Sequence, residues 1–236
     1  MLNEGSSHTD RNFVVEPFSA NCRAIYRKGA HVVMGVSPGN SYFRVDLLGR
    51  LLRWLRAHFQ QIDVVIPDTA LVATYLAMGY SSQKSAKKSH AEISVLHNRV
   101  HRGWEAAGGP RPADGLHMMS ALEARPAYQR ALRTAEDALA ADPGLRATAL
   151  GMSRTFLSSR LRDSETDCVQ TELGTRYLLA ELPFLLASAD IFEVNSSLCF
   201  YHQPVPLAEA LFTRGSPLRA PSSQAYAIIR PASATA

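Results

Sequence analysis

Residues 30–67 constrain the fold more than any other part of the chain. His31-Val32-Val33-Met34-Gly35-Val36 is a short, largely β-branched run that predicts a buried strand over 30–36, and Pro38-Gly39 is a turn pair that cannot extend it. Phe43, Leu47, Leu48, Leu51, Leu52, Leu55 and Phe59 then recur at helical spacing and predict a helix over 41–59, after which Asp63-Val64-Val65-Ile66-Pro67 predicts a second strand. Strand, helix and strand in that order make a βαβ unit, whose usual consequence is a parallel sheet with a right-handed crossover.

The rest of the chain adds mostly helix. A long helical pattern runs from Ser81 to Ala107 and is ended by Gly108-Gly109-Pro110; further helices are expected at about 120–141, 144–161 and 173–189, with a last strand at Ala225–Ile229. The expected fold is α/β: a single Rossmann-like domain with a parallel sheet flanked by helices, and additional helices. At 236 residues and 46% hydrophobic content the chain can bury one sizeable core. Residues 1–12 and 232–236 read as disordered ends, leaving one domain over 13–231.

The polar opening residues lack the apolar middle of a signal peptide, and Tyr177–Phe192, the most hydrophobic segment, is interrupted by Glu181, Pro183 and Asp190. Cys22, Cys168 and Cys199 have no metal-ligand or CxxC spacing, so reduced thiols are expected, with Cys199 a small core residue. These features predict a soluble, cytoplasmic protein with no membrane partner and no metal. A formal charge of +4 is mild, so a polyanion partner has to be sought in local clusters of basic residues.

Four segments carry candidate chemistry. In Gly35-Val36-Ser37-Pro38-Gly39-Asn40, Ser37 lies on the bend between strand and helix, where α/β proteins place reactive groups. Its Oγ and the first free N–H groups of the following helix are expected to face one space, although Ser37 and Asn40 equally suit a turn and an N-cap. The run formally fits the G-x-S-x-G elbow of α/β-hydrolases. Only about one strand precedes Ser37, however, and only His117 and His202 lie far enough downstream to act as its base.

Tyr177 and Glu181, four apart, stack on one helical face among Leu178, Leu179, Leu182, Phe184, Leu185 and Leu186. A carboxylate in such surroundings needs a cationic or hydrogen-bonding partner, which the ammonium of an amino-acid substrate would supply; a solvent-edge glutamate is the plainer alternative. Pro183 is expected to kink this helix just beyond the pair. Tyr201-His202, ending the run Leu198-Cys199-Phe200, could relay protons or simply pack.

The fourth segment is the helix over 81–107, where residues 84 to 102 hold five Lys/Arg and one Glu. Lys84, Lys88, Arg99 and Arg102 fall within about 60° of arc, with Lys87 nearby and Ile93, Leu96, Val100 and Trp104 on the opposite face. Such a stripe suits a nucleic-acid backbone, or is merely a solvated face. Lys84-Ser85-Ala86-Lys87-Lys88-Ser89 looks like the Lys-x-Ser-Lys-Ser signature of class I aminoacyl-tRNA synthetases, but the accompanying His-x-Gly-His and any G-x-x-x-x-G-K-[ST] loop are absent from the sequence.

Taken together, Gly35-x-Ser37-x-x-Asn40, Tyr177-x-x-x-Glu181, Tyr201-His202 and the basic helix resemble the cyclodipeptide synthases, which join two aminoacyl-tRNAs into a diketopiperazine. Asn40 with Tyr201-His202 is similar to the subfamily named for Asn, Tyr and His. The resemblance implies a domain related to class I synthetase catalytic domains and a ping-pong route through aminoacyl- and dipeptidyl-seryl intermediates on Ser37, with no cofactor. It implies that Tyr177 and Glu181 hold the aminoacyl ammonium, that Tyr201 relays a proton in cyclisation, and that Asn40 and His202 support the site by hydrogen bonding. It further implies a first side-chain pocket at Val33, Gly35, Val65, Pro67, Met119, Phe184 and Leu185, apolar and suited to a hydrophobic or aromatic residue, and tRNA contacts at Lys84, Lys87, Lys88, Arg99 and Arg102. Family members are denser in arginine there, whereas this chain has His90, His97 and His101, so more salt-sensitive tRNA binding is expected. A monomer is the default. A serine esterase and a non-catalytic tRNA-binding domain remain as other readings of the same residues.

Overall fold

The structure, a computed structural model, describes residues 13–108, 115–161 and 167–232. The expected disorder of 1–12 and of the tail beyond Ala232, and the Gly109-Pro110 stop, lie outside the described residues.

Strand β2 (His31–Gly35) leads through a 3-10 turn (Ser41–Phe43) into α2 (Val45–His58) and then β3 (Gln61–Ile66), which pairs with β2 in parallel. The predicted helix over 41–59 is thus in two pieces, because Arg44 is extended (φ −69°, ψ 151°) between them. Before this unit stand β1 (Phe13–Pro17) and α1 (Ala20–Lys28); after it come α3 (Ala70–Ala77) and α4 (Ser82–Ala106). Strand β4 (Leu116–Met118) runs into α5 (Met119–Glu123), followed by α6 (Pro126–Ala141) and α7 (Pro143–Leu161). The helix expected over 120–141 is split between α5 and α6 because Arg125, preceding Pro126, is forced out of the helical region (ψ 133°). Next come α8 (Cys168–Ile191), β5 (Ser197–Tyr201), α9 (Pro206–Phe212) and β6 (Gln224–Pro231).

The six strands form one sheet in the order β1-β6-β5-β2-β3-β4, in which only β1 is antiparallel to its neighbour. Strand alternation sorts the core into two layers. Val32, Met34, Val64, Ile66, Leu198 and Phe200 point to the side of α2 and α4, whereas Val33, Val65 and Cys199 point with Phe184 and Met119 to the side of α8.

Helix α4 lies tightly on α2 because a glycine faces the partner helix on each side. A Cβ on Gly49 would come within 2.8 Å of Ala106 Cβ, and one on Gly103 within 2.8 Å of Leu48 Cγ. That contact fixes Ile93, Leu96, Val100 and Trp104 inward and leaves the basic residues outward.

Helix α8 begins five residues before the expected start at 173, at a full capping box in which Asp167 accepts from Gln170 N and Gln170 accepts from Asp167 N. Its break falls at Ala187 (φ −146°, ψ 24°), beyond Pro183, so Tyr177 and Glu181 sit on an unbroken stretch. The N–H groups freed there, Ser188 and Ala189, donate to the side-chain oxygen of buried Gln224 at 2.7 and 2.6 Å.

Candidate active site

Ser37 follows β2 at the carboxyl edge of the sheet, and Tyr201 ends the adjacent strand β5. The pairing brings Ser37 Oγ and the Tyr201 hydroxyl to 3.3 Å. Asn40 does two jobs that the sequence presents as alternatives. Its Oδ1 accepts from Tyr42 N at 2.9 Å and caps the 3-10 turn, while its Nδ2 donates to the Tyr201 hydroxyl at 3.2 Å. One of the helix-start N–H groups expected to face the site, that of Tyr42, is therefore taken by the cap.

The turn is locked from outside by a residue that sequence reasoning missed. Arg160 on α7 donates to Pro38 O at 3.3 Å, and a Cβ at Gly39 would lie 2.8 Å from its Nη2. Gly39 also has φ 70°, a backbone conformation that favours glycine, while a Cβ there would oblige the flexible Arg160 side chain to shift.

Helix α8 brings Tyr177 and Glu181 to the same space, and Tyr128 anchors that stretch by donating to Ala180 O at 2.9 Å. Burial pushes the Glu181 carboxyl up to about 7, a rise that its hydrogen bond with Tyr177 partly offsets. Burial, and then the Glu181 charge, hold the Tyr177 phenol well above its ordinary value. Burial likewise raises Tyr201, against hydrogen bonds with Ser37 and Asn40 that lower it. The site thus contains a hydroxyl, two protonated phenols and one carboxyl that titrates near neutrality.

These groups line one cavity of about 1090 Å³, together with Val33, Gly35, Val65, Pro67, Met119, Phe184 and Leu185, all seven of the expected pocket residues. Cys199 lines it too, and is not simply core; burial pushes its thiol up to about 12. Helix α4 borders the mouth, where Lys88 joins the lining; Lys84, Lys87 and Arg102 are exposed and Arg99 is half-buried.

His202 differs from expectation. It makes no hydrogen bond to the site: its ring stacks on Tyr42 (centroids 4.4 Å apart) and touches Tyr201 (4.3 Å), and its buried Nδ1 has no hydrogen-bond partner among the described residues. Burial lowers its pKa, favouring the neutral imidazole, so it props the Tyr201 segment by packing. His117, a hydrolase's possible base, does not line the cavity that holds Ser37. It binds Asp63 (2.6 Å), which also accepts from His31 (2.8 Å), beneath the ring of Phe192.

Among the described residues, no cluster of three or more His, Cys, Asp or Glu could hold a metal ion, and no helix is long and apolar enough to cross a membrane.

A largely parallel α/β sheet with a serine, two phenols and a neutral-range carboxyl gathered at its carboxyl edge defines a Rossmann-like fold with a candidate active site. The family model for cyclodipeptide synthase matches residues 13–231. The chain is 33% identical to the cyclo(L-tyrosyl-L-tyrosyl) synthase of Mycobacterium tuberculosis over 93% of its own length and 76% of the relative. It is 30% identical to the cyclo(L-leucyl-L-leucyl) synthase of Bacillus subtilis over 93% and 90%. The solved Mycobacterium tuberculosis structure that relates cyclodipeptide synthetases to type I tRNA synthetases superposes with a TM-score of 0.81 at 33% identity, covering 94% of each chain. The chain belongs to the cyclodipeptide synthase family. It is accordingly a tRNA-dependent aminoacyltransferase that makes cyclodipeptides from aminoacyl-tRNAs.

Proposed function

We propose that the reaction is ping-pong and runs through Ser37. The observation that carries this reading is the Ser37 hydroxyl at 3.3 Å from Tyr201, in one cavity with Tyr177 and Glu181. Ser37 Oγ attacks the ester carbonyl of the first aminoacyl-tRNA; the bond to the terminal ribose breaks, and the proton leaves with the ribose oxygen. One ester replaces another, so no fresh input of energy is needed.

Tyr177 and Glu181 hold the ammonium of the Ser37-bound residue, and Glu181, titrating near 7, accepts its proton. The freed amine attacks the ester of the second aminoacyl-tRNA and expels that tRNA, leaving a dipeptide on Ser37. The new terminal amine then attacks the seryl ester; the ring closes as the C–Oγ bond breaks, and Tyr201, hydrogen-bonded to Ser37, relays the proton lost by the amine to the departing Oγ. Asn40 orients Tyr201, and His202 supports it from behind.

The wall formed by Val33, Gly35, Val65, Pro67, Met119, Phe184 and Leu185 offers no polar side chain, which suits a hydrophobic or aromatic first residue. The exposed face of α4, with Lys84, Lys87, Lys88, Arg99 and Arg102, holds the first tRNA. The Asn40–Tyr201–His202 set supports membership of the Asn-Tyr-His subfamily. It acts as a cytoplasmic monomer on the cell's charged tRNA, without metal or cofactor, as a single domain over 13–231.

Bacteria expressing the protein should release a diketopiperazine, found by mass spectrometry of the medium, that disappears with Ser37→Ala. Persistence of the product in that variant would remove Ser37 from the reaction.

A further inference from the structure

The turn between α3 and α4 carries an aromatic side chain whose surroundings suit a nucleobase. Tyr80 is placed rigidly: Gly79 turns the chain with φ 83°, Tyr80 N donates to Tyr75 O at 3.1 Å, and Ser85 Oγ donates to Tyr80 O at 3.4 Å. Its ring meets that of Tyr75 edge-on at 5.7 Å. The ammonium groups of Lys84 and Lys88 lie over it at 4.9 and 5.0 Å from its centroid. Tyr80, Tyr75 and Lys88 line the same cavity as Ser37.

The substrate ester sits on the terminal ribose of a single-stranded 3′ end, so the base on that sugar must lie within a nucleoside's length of Ser37. Unpaired bases are held by stacking on aromatic rings, with lysines beside them on the phosphates. Both lysines here reach Tyr80 on long, flexible stems and can move from ring to phosphate when a base arrives. Deeper in the cavity, Val33, Val65, Met119 and Phe184 leave no cation for a phosphate.

We infer that Tyr80 is the stacking platform for a 3′-terminal nucleobase of an aminoacyl-tRNA, with Lys84 and Lys88 on the adjoining phosphates. This rests on the reading that Ser37 is acylated by aminoacyl-tRNA. It assigns to one aromatic side chain a task distinct from the charge of α4: gripping the last nucleotides so that the ester meets Ser37.

The test measures acylation of Ser37 from two donors, a charged tRNA and an activated aminoacyl ester without any nucleotide, in wild type, Tyr80→Phe, Tyr80→Trp and Tyr80→Leu. Loss of a base stack should raise KM for charged tRNA about 5- to 100-fold in Tyr80→Leu, with kcat much less affected. Tyr80→Phe and Tyr80→Trp should stay near wild type, and acylation from the nucleotide-free ester should be unchanged in all. Wild-type behaviour of Tyr80→Leu with charged tRNA, or equal losses with both donors, would overturn the inference. A wild-type enzyme that neither donor acylates would instead overturn the Ser37 reading on which it rests.

Discussion

The cavity has two kinds of wall. The inner one is made of strand ends and α8: Val33, Val65, Met119 and Phe184 are nearly inaccessible, and Ser37, Tyr201, Tyr177 and Glu181 are fixed by ladder pairing, packing and mutual hydrogen bonds. The outer one is made of helix surface, where Lys88 of α4 and Phe156 and Arg160 of α7 line the cavity, and α4 continues it with Lys84, Lys87 and Arg102 exposed to solvent. Bond making needs groups held to a fraction of an ångström and shielded from water, which a sheet edge under a packed helix supplies. A polyanion is gathered instead by mobile charges on an open face. Changes to the inner wall should therefore act on the chemical step, and changes to the outer wall on capture.

The largest effect should come from Glu181→Gln, which keeps shape but cannot take a proton: kcat should fall about 100- to 10,000-fold with little change in tRNA binding. In the wild type, kcat/KM should drop as pH falls below about 7, where Glu181 becomes protonated, and that arm should be missing from the residual activity of the variant. Equal losses in tRNA affinity and in turnover would blur the division between the walls.

The same substitution should have the opposite sign in stability. The folded-state pKa of Glu181, about 7 against an ordinary 4.5, means that ionising it opposes folding. That cost grows from pH 4.5 to pH 7 and is complete above it, so Glu181→Gln should be the more stable protein by about 1–3 kcal/mol at pH 8 and nearly equal to wild type at pH 4.5. Denaturant midpoints at the two pH values would read this directly.

The outer wall should respond to salt. Reversing Lys84, Lys87 and Arg102 to Glu should weaken tRNA binding about tenfold or more and flatten its dependence on salt, with acylation from a nucleotide-free ester intact. With His97 and His101 occupying part of α4, wild-type binding should already be lost at modest ionic strength.

The same two regions differ in how far the sequence discloses them. Inner-wall residues announce themselves because Ser37 sits on a turn forced by Pro38-Gly39, and Tyr177 and Glu181 have fixed helical spacing on one face. Strand β2 and helix α4 are legible for a related reason, since an apolar run and an amphipathic repeat are local patterns. Helix α3 is apolar nearly all round and has no periodic signal, while β4 has three residues and exists only by pairing with β3. Strand β1 is an edge that β6 supplies with a partner from more than two hundred residues away. Arg160 and Tyr80 acquire meaning only once α7 and the α3–α4 turn border the cavity, so no local pattern marks them. His202 shows the converse: its place beside Tyr201 is legible, but the stack on Tyr42 that replaces hydrogen bonding is not.

Covalent catalysis at Ser37 can be read from the intact mass of the protein mixed with charged tRNA and rapidly quenched. The expected result is an adduct of one aminoacyl residue that peptide mapping places on Ser37, that accumulates in Glu181→Gln and that is absent from Ser37→Ala. An active enzyme that never shows such an adduct, or carries it on another residue, would rule out Ser37 as the nucleophile.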